Sequence, residues 1–272
     1  MGAILSLAKA IDYVNLRGIS RFSREVVVLT DKFNKTGEPP HKIVIAVDGP
    51  AASGKGTLAK KLAAHLGYAY LDTGAVYRTV ALLTLQGGGD VAKPEDVEKA
   101  LETVRKGITP AMLADPALRT GAVAEAAAVV AQMPEVRKVV RDFQTDFAKN
   151  PPNDAPGAVL DGRDIGTVVC PDADIKFYVT AEPEERARRR FLELKDRTPG
   201  LTLEEVQKDI NDRDHHDMSR AISPLKAADD AIILDNTHLN AAQALDAAID
   251  IVNKKFSGDG GPSPASGSPP KP

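Results

Sequence analysis

The stretch GPAASGKGT, Gly49 to Thr57, has the residue types and spacing of a phosphate cradle. Glycines let consecutive backbone N–H groups turn toward one anion, and a lysine at the end of the turn can reach the outer phosphates of a nucleotide. In the common form of this pattern a Ser or Thr directly follows the lysine and places its hydroxyl on Mg²⁺. Here Gly56 follows Lys55, and the hydroxyl arrives one place late at Thr57. Gly49, Pro50, Ala51, Ala52, Ser53, Gly54, Lys55, Gly56 and Thr57 therefore form a candidate ATP-binding loop, with Lys55 bridging phosphates and the usual hydroxyl position empty.

Moving a phosphoryl group onto a second anion needs positive charge. Two unit charges ~4 Å apart repel by ~4 kcal/mol at an effective dielectric near 20, roughly a thousandfold in rate if nothing offsets it. Guanidinium groups suit the task, being planar, bidentate toward phosphate and permanently charged. Arg78 in LDTGAVYR, Arg163 in LDGRDIGTVV, and Arg213 and Arg220 in NDRDHHDMSRAISPL are candidates in short motifs. Arg186, Arg189 and Arg190 in EERARRR stand at i, i+3 and i+4, so on a helix all three can point one way. That face reads as a surface balanced by Glu184 and Glu185 or as a nucleic-acid patch.

Several carboxylates also qualify. Asp164 can accept from an exocyclic base amine, as acidic side chains do from cytosine N4, while Arg137 can donate to ring acceptors. Asp161 closes an apolar run and can orient a Mg²⁺ shell through water, as can Thr57. Asp48 can do likewise or bond loop amides. Asp72 and Thr73 begin a helical pattern, where a cap is the plain alternative to a ligand contact. His215 and His216 have no evident partner for catalysis.

Such groups converge only if the elements around them place them at one end of a sheet. The runs IVIAV (43–47), YAYL (68–71), AVL (158–160), IKFYV (175–179) and AIIL (231–234) are short and unbroken, as expected for strands buried on both faces. Between them lie helical patterns. Thr57 to Leu66 carries Leu58, Leu62 and Leu66 on one stripe and stops at Gly67; Ala181 to Leu194 opens on Pro183 among glutamates; Leu239 to Val252 closes the series. Strands alternating with helices imply an α/β fold with a five-stranded parallel sheet covered on both sides. Ligands then belong at the carboxyl ends of the strands.

Composition narrows the setting. The 272 residues are 43% hydrophobic, with net charge −3 and one cysteine, Cys170. That balance offers no global attraction for nucleic acid or membrane, and a lone cysteine excludes an intrachain disulfide or thiolate metal cage. No apolar run approaches the ~20 residues needed to cross a bilayer. A cytoplasmic, monomeric protein acting on small-molecule nucleotides is expected. Residues 1–40 form an extension without assignment, 41–256 the domain, and the Gly/Pro/Ser-rich 257–272 a disordered tail.

GPAASGKGT, LDTGAVYR, LDGRDIGTVV, EERARRR and NDRDHHDMSRAISPL, in this order, closely resemble the bacterial cytidylate kinases, P-loop nucleoside monophosphate kinases, from about Lys42 to Phe256. The resemblance implies a three-layer P-loop kinase fold with a reduced monophosphate-binding subdomain at about 87–150 and a short lid at about 184–200. It implies transfer from ATP to CMP or dCMP with Mg²⁺. Arg78, Arg163 and Arg220 would grip the acceptor phosphate beside Asp72 and Thr73. Arg213 would lie near the ribose, Asp217 on its hydroxyls, and Arg137 and Asp164 on the base. Lys55 with Arg186, Arg189 and Arg190 would serve transfer. Ala128 stands where the family often has a base-contacting serine, and Gly87 to Arg119 reads as helix and loop rather than the β-hairpin insert of some relatives. Two rivals stay open on the residues alone: a kinase for another small phosphorylated acceptor, and a non-catalytic nucleotide-binding domain acting through its extension.

Overall fold

Each of the five apolar runs forms a strand in the computed structural model, which describes residues 41–196, 198–220 and 223–256. The strands are β1 (Ile43–Asp48), β2 (Ala69–Asp72), β3 (Gly157–Gly162), β4 (Ile175–Thr180) and β5 (Ile232–Asp235). They pair in the order β2-β3-β1-β4-β5, every pair parallel. β1 thus has β3 on one side and β4 on the other, so the chain's crossovers part around it. A crevice at the carboxyl ends of β1 and its neighbours is the consequence.

The helices are α1 (Lys55–Leu66), α2 (Thr73–Gln86), α3 (Pro94–Lys106), α4 (Pro110–Ala114), α5 (Gly121–Val130), α6 (Pro134–Lys149), α7 (Pro183–Leu194), α8 (Leu203–Ser219) and α9 (Ala241–Phe256). α1 stops where Gly67 takes the left-handed conformation, with φ 68°, as the sequence led us to expect. α2, α3, α5 and α6 bury Val80, Leu101, Val130 and Val140 against Ala46, Leu71, Ala158 and Leu160 of the sheet. α1 and α9 bury Leu62 and Ala248 against Ile45, Val47, Val159 and Phe177 on the opposite face. These are the three layers of an α/β P-loop kinase fold. The segment from Gly87 to Arg119 is helix, loop and a short 3₁₀ turn, and the helices of 87–150 share their core with the sheet rather than enclosing one of their own.

Burial departs from expectation at β5. Ile232 and Ile233 are exposed there, and only Leu234 faces inward. An edge strand has one neighbour, so its apolar run reads like a central strand without being covered like one. The expectations for residues 1–40 and 257–272 fall outside the described residues.

Candidate active site

The loop between β1 and α1 is shaped by its glycines. Gly54 sits at φ 88°, and a Cβ there would lie 2.4 Å from Asn236 Nδ2, whose amide donates to Ser53 O at 2.8 Å. Only glycine admits that turn and that approach together. The loop then runs into the α1 N-terminus, where free backbone N–H groups and the helix dipole favour an anion. Lys55 heads the helix, buried, and folds back to donate to Pro50 O at 3.2 Å.

Gly56 has a specific neighbour. A Cβ at this position would meet Asp161 Oδ2 at 3.2 Å. The space a hydroxyl side chain would take in the commoner loop is therefore crowded by the carboxylate near the end of β3, and Thr57 is exposed. Asp161 also accepts from Tyr70 Oη at 2.8 Å, and Thr73 donates to its backbone oxygen at 2.6 Å. Burial raises the Asp161 carboxyl, with the Asp72 charge adding to it. Burial lowers Lys55, followed by the positive charge of Arg163, while Asp161 opposes that shift.

Lys55 thus lies within electrostatic reach of Asp72, Asp161, Arg163 and Arg213, so the phosphate loop and the motifs LDTGAVYR, LDGRD and NDRD lie near one another. Arg78 pairs with Asp72 at 2.6 Å, and Asp72 caps α2 by accepting from Ala75 N at 3.1 Å. Arg163 donates through Nε to Asp217 at 2.8 Å, and Arg220 reaches the same carboxylate from the other side. Burial alone would raise Asp217; Arg163 and Arg220 outweigh it and hold the carboxyl below its usual range. Arg213 makes no hydrogen bond or ion pair among the described residues. Partial desolvation, then the charges of Arg163 and Arg78, lower it from its ordinary value, while its side chain keeps an accessible edge. Four guanidinium groups gathered around two carboxylates leave a positive excess suited to a multivalent anion.

Arg137 pairs with Asp164 at 2.8 Å and lies 5.9 Å from the centroid of the Tyr77 ring. These three line a cavity of about 180 Å³ between α6 and the π-turn at 165–169. Burial raises the Tyr77 hydroxyl. Asp48 accepts from Ile165 N and Gly166 N at 2.9 and 2.8 Å, so it holds the loop after β3. Burial pushes its carboxyl up to about 6.

Arg186, Arg189 and Arg190 do not share one direction, contrary to the i, i+3, i+4 expectation. Arg186 is buried; it donates to Ala181 O at 3.0 Å and Ala51 O at 3.2 Å, and pairs with Asp214. Arg189 donates to Asn236 O at 2.6 Å and to Glu185 at 2.8 Å. Arg190 is exposed, pairs with Glu193 at 2.8 Å, and its charge is felt by Arg213. A long side chain can bend either way from its helical position, and buried acceptors claim the first two. His215 and His216 are exposed.

Sequence reasoning passed over Asp214, Asn236, Tyr77 and Gln144. Asp214 lies inside NDRDHHD beside Arg213, and Gln144 stands seven residues after Arg137 on one helix face; Asn236 follows a strand with no motif to mark it. Among the described residues no group of three or more His, Cys, Asp or Glu is placed to hold a metal ion. No described helix is long and apolar enough to cross a membrane.

Comparison with known proteins agrees with this geometry. The family model described as cytidylate kinase matches residues 45–254. A cytidylate kinase of Rhodospirillum rubrum is 50% identical over 213 residues, covering 78% of this chain and 98% of that protein. A cytidylate kinase of Rhodopseudomonas palustris is 51% identical over 210 residues, covering 77% and 95%. One from Bradyrhizobium diazoefficiens is 50% identical over 211 residues, covering 77% and 95%. The matched span contains the phosphate loop, the gathered arginines and the Arg137–Asp164 pair, so the chain belongs to the cytidylate kinase family.

Proposed function

We propose that this protein transfers the γ-phosphoryl group of ATP to CMP or dCMP, giving ADP and CDP or dCDP. The observation that carries this reading is electrostatic: Lys55 of the donor loop lies within reach of Arg163 and Arg213 on the acceptor side. ATP would lie with its phosphates on Gly49–Thr57, where the loop amides and Lys55 hold the oxygens on which charge develops. The acceptor phosphate would be held by Arg78, Arg163 and Arg220 beside Asp72 and Thr73. Arg213 would sit near the ribose and Asp217 on its hydroxyls. Arg78 and Arg163, now paired with Asp72 and Asp217, would exchange those partners for phosphate oxygens.

No general base is needed, because an acceptor phosphate is already nucleophilic near neutral pH and positioning does most of the work. The donor oxygen is displaced in line as the acceptor oxygen bonds to phosphorus, with no phosphoenzyme. Arg190, on the site side of α7, is the lid arginine best placed to add charge during transfer. Arg186 and Arg189 would act by holding the loop, through Ala51 and Asn236. The residues fit Mg²⁺ bound mainly through phosphates and water, since Asp161 crowds the position beside Gly56 and Thr57 adds a hydroxyl. Bound there, the ion would neutralise phosphate charge. The base would be read by Asp164 accepting from the amine and Arg137 donating to the ring. We further propose a cytoplasmic monomer, with about 87–150 as the acceptor-binding region and about 184–200 as the lid.

A substrate panel tests the reading. With ATP and Mg²⁺, CMP and dCMP should be phosphorylated well above UMP and AMP; equal rates on AMP would remove the cytidylate assignment.

A further inference from the structure

The cavity beside Arg137 and Asp164 contains a polar group that neither the sequence motifs nor the family resemblance assigned. Gln144, on α6, is 1% exposed and lines that cavity. Its side-chain amide makes no hydrogen bond among the described residues. An amide can donate two hydrogen bonds and accept two, and buried polar groups are nearly always paired. Because Gln144 lines the cavity, a molecule filling that space can supply the missing partner. At about 180 Å³ the cavity far exceeds the ~10–15 Å³ that one water requires.

Position specifies the occupant further. Arg137 and Gln144 are seven residues apart, two turns along one face of α6 and ~10 Å along its axis. A flat ring entering from the arginine cluster would meet the Arg137–Asp164 pair at one end and the Gln144 amide at the other, with Tyr77 forming a wall. A carboxylate takes one hydrogen of an exocyclic amine and leaves the second unpaired. Ala128, exposed on α5, has no polar side-chain atom to meet it.

We propose that Gln144 is a base-contacting residue of the acceptor site, its amide reading the pyrimidine edge together with Arg137 and Asp164. The inference rests on the pyrimidine-monophosphate reading above. An amide can offer either its oxygen or its nitrogen, so Gln144 strengthens pyrimidine binding while the acceptor-only carboxylate of Asp164 carries the choice of cytosine.

Gln144→Met keeps the side chain's length and removes both polar atoms. Relative to wild type, KM for CMP should rise roughly 5- to 30-fold, the worth of one or two hydrogen bonds. The kcat and the KM for ATP should stay within about twofold, as for a contact made equally in ground and transition states. The ligand-free melting temperature should not fall, because deleting an unpaired buried polar group is close to neutral. Gln144→Asn, with the amide drawn back by one methylene, should give a KM between the two. An unchanged KM for CMP in either folded variant overturns the proposal. So does a lower melting temperature with CMP affinity retained, which would make the amide a structural group satisfied by water. Failure of the cytidylate reading would show separately, as a wild-type preference for another acceptor.

Discussion

At Gly56 a missing side chain has a positive reason. A Cβ would press on Asp161 Oδ2 at 3.2 Å, so the β3 carboxylate would have to give by a few tenths of an ångström to admit the side chain that other phosphate loops keep here. Asp48, one residue before the loop, shows a different use of a buried carboxylate. It accepts two backbone amides and still has its pKa raised to about 6, because burial outweighs those bonds. The sign of its effect on stability follows. Between about 4 and about 6 the folded protein keeps a proton that the unfolded chain has released, so stability falls as pH rises through that window. At ~1.4 kcal/mol per pKa unit the loss amounts to up to ~3 kcal/mol. Asp48→Asn removes the titration, so urea denaturation at pH 4 and pH 7 should show the variant gaining on wild type by up to that amount. Parallel pH courses for the two proteins would mean that this carboxyl titrates as an ordinary one.

Two helices meet the phosphate loop through one ion pair. Arg186 of α7 donates to Ala51 O, and Asp214 of α8 accepts from Ala51 N at 3.2 Å, so the pair holds the two successive peptides that flank the Ala51 Cα. Ala187, Val206 and Ile210 pack between the helices, with Ala52 of the loop against them. Arg186→Met should leave Asp214 buried without its counter-charge and lower stability by ~3 kcal/mol or more. The double variant Arg186→Met/Asp214→Asn should lose less than the two single losses combined, since its partners fail together. Additive losses in chemical denaturation would show that the two side chains act independently. The helix start at Pro183 and the spacing of the arginines were legible in the sequence, because proline and helical period are local properties. The destinations of Arg186 and Arg189 were not. Their acceptors include Asp214 of α8, which packs on α7, and the segment after β5, which the sheet order brings near.

At the scale of the whole molecule, all five strands could be placed from apolar runs, and loop and acceptor motifs fell where strands end. Legibility failed where a neighbour decides: the exposure of β5, and Gln144, which is polar on a helix and betrays itself only by having no partner among the described residues, whereas the cap at Asp72, a local property, was one of the two readings its position offered. The same scale governs the termini. Among the described residues, both major cores draw on Ile43 to Phe256 and all five strands find their sheet partners within that span. The cytidylate kinase match runs from 45 to 254, and each proposed site residue lies between Gly49 and Arg220. Tolerance to truncation depends on whether burial and backbone hydrogen bonds are lost, not on sequence position. A chain comprising residues 41–256 should therefore unfold in one cooperative transition and keep kcat/KM for CMP within about twofold of the full chain. Steady-state kinetics beside a denaturant titration would check both halves. A loss beyond about tenfold, ~1.4 kcal/mol at the transition state, would show instead that a terminal segment completes the site.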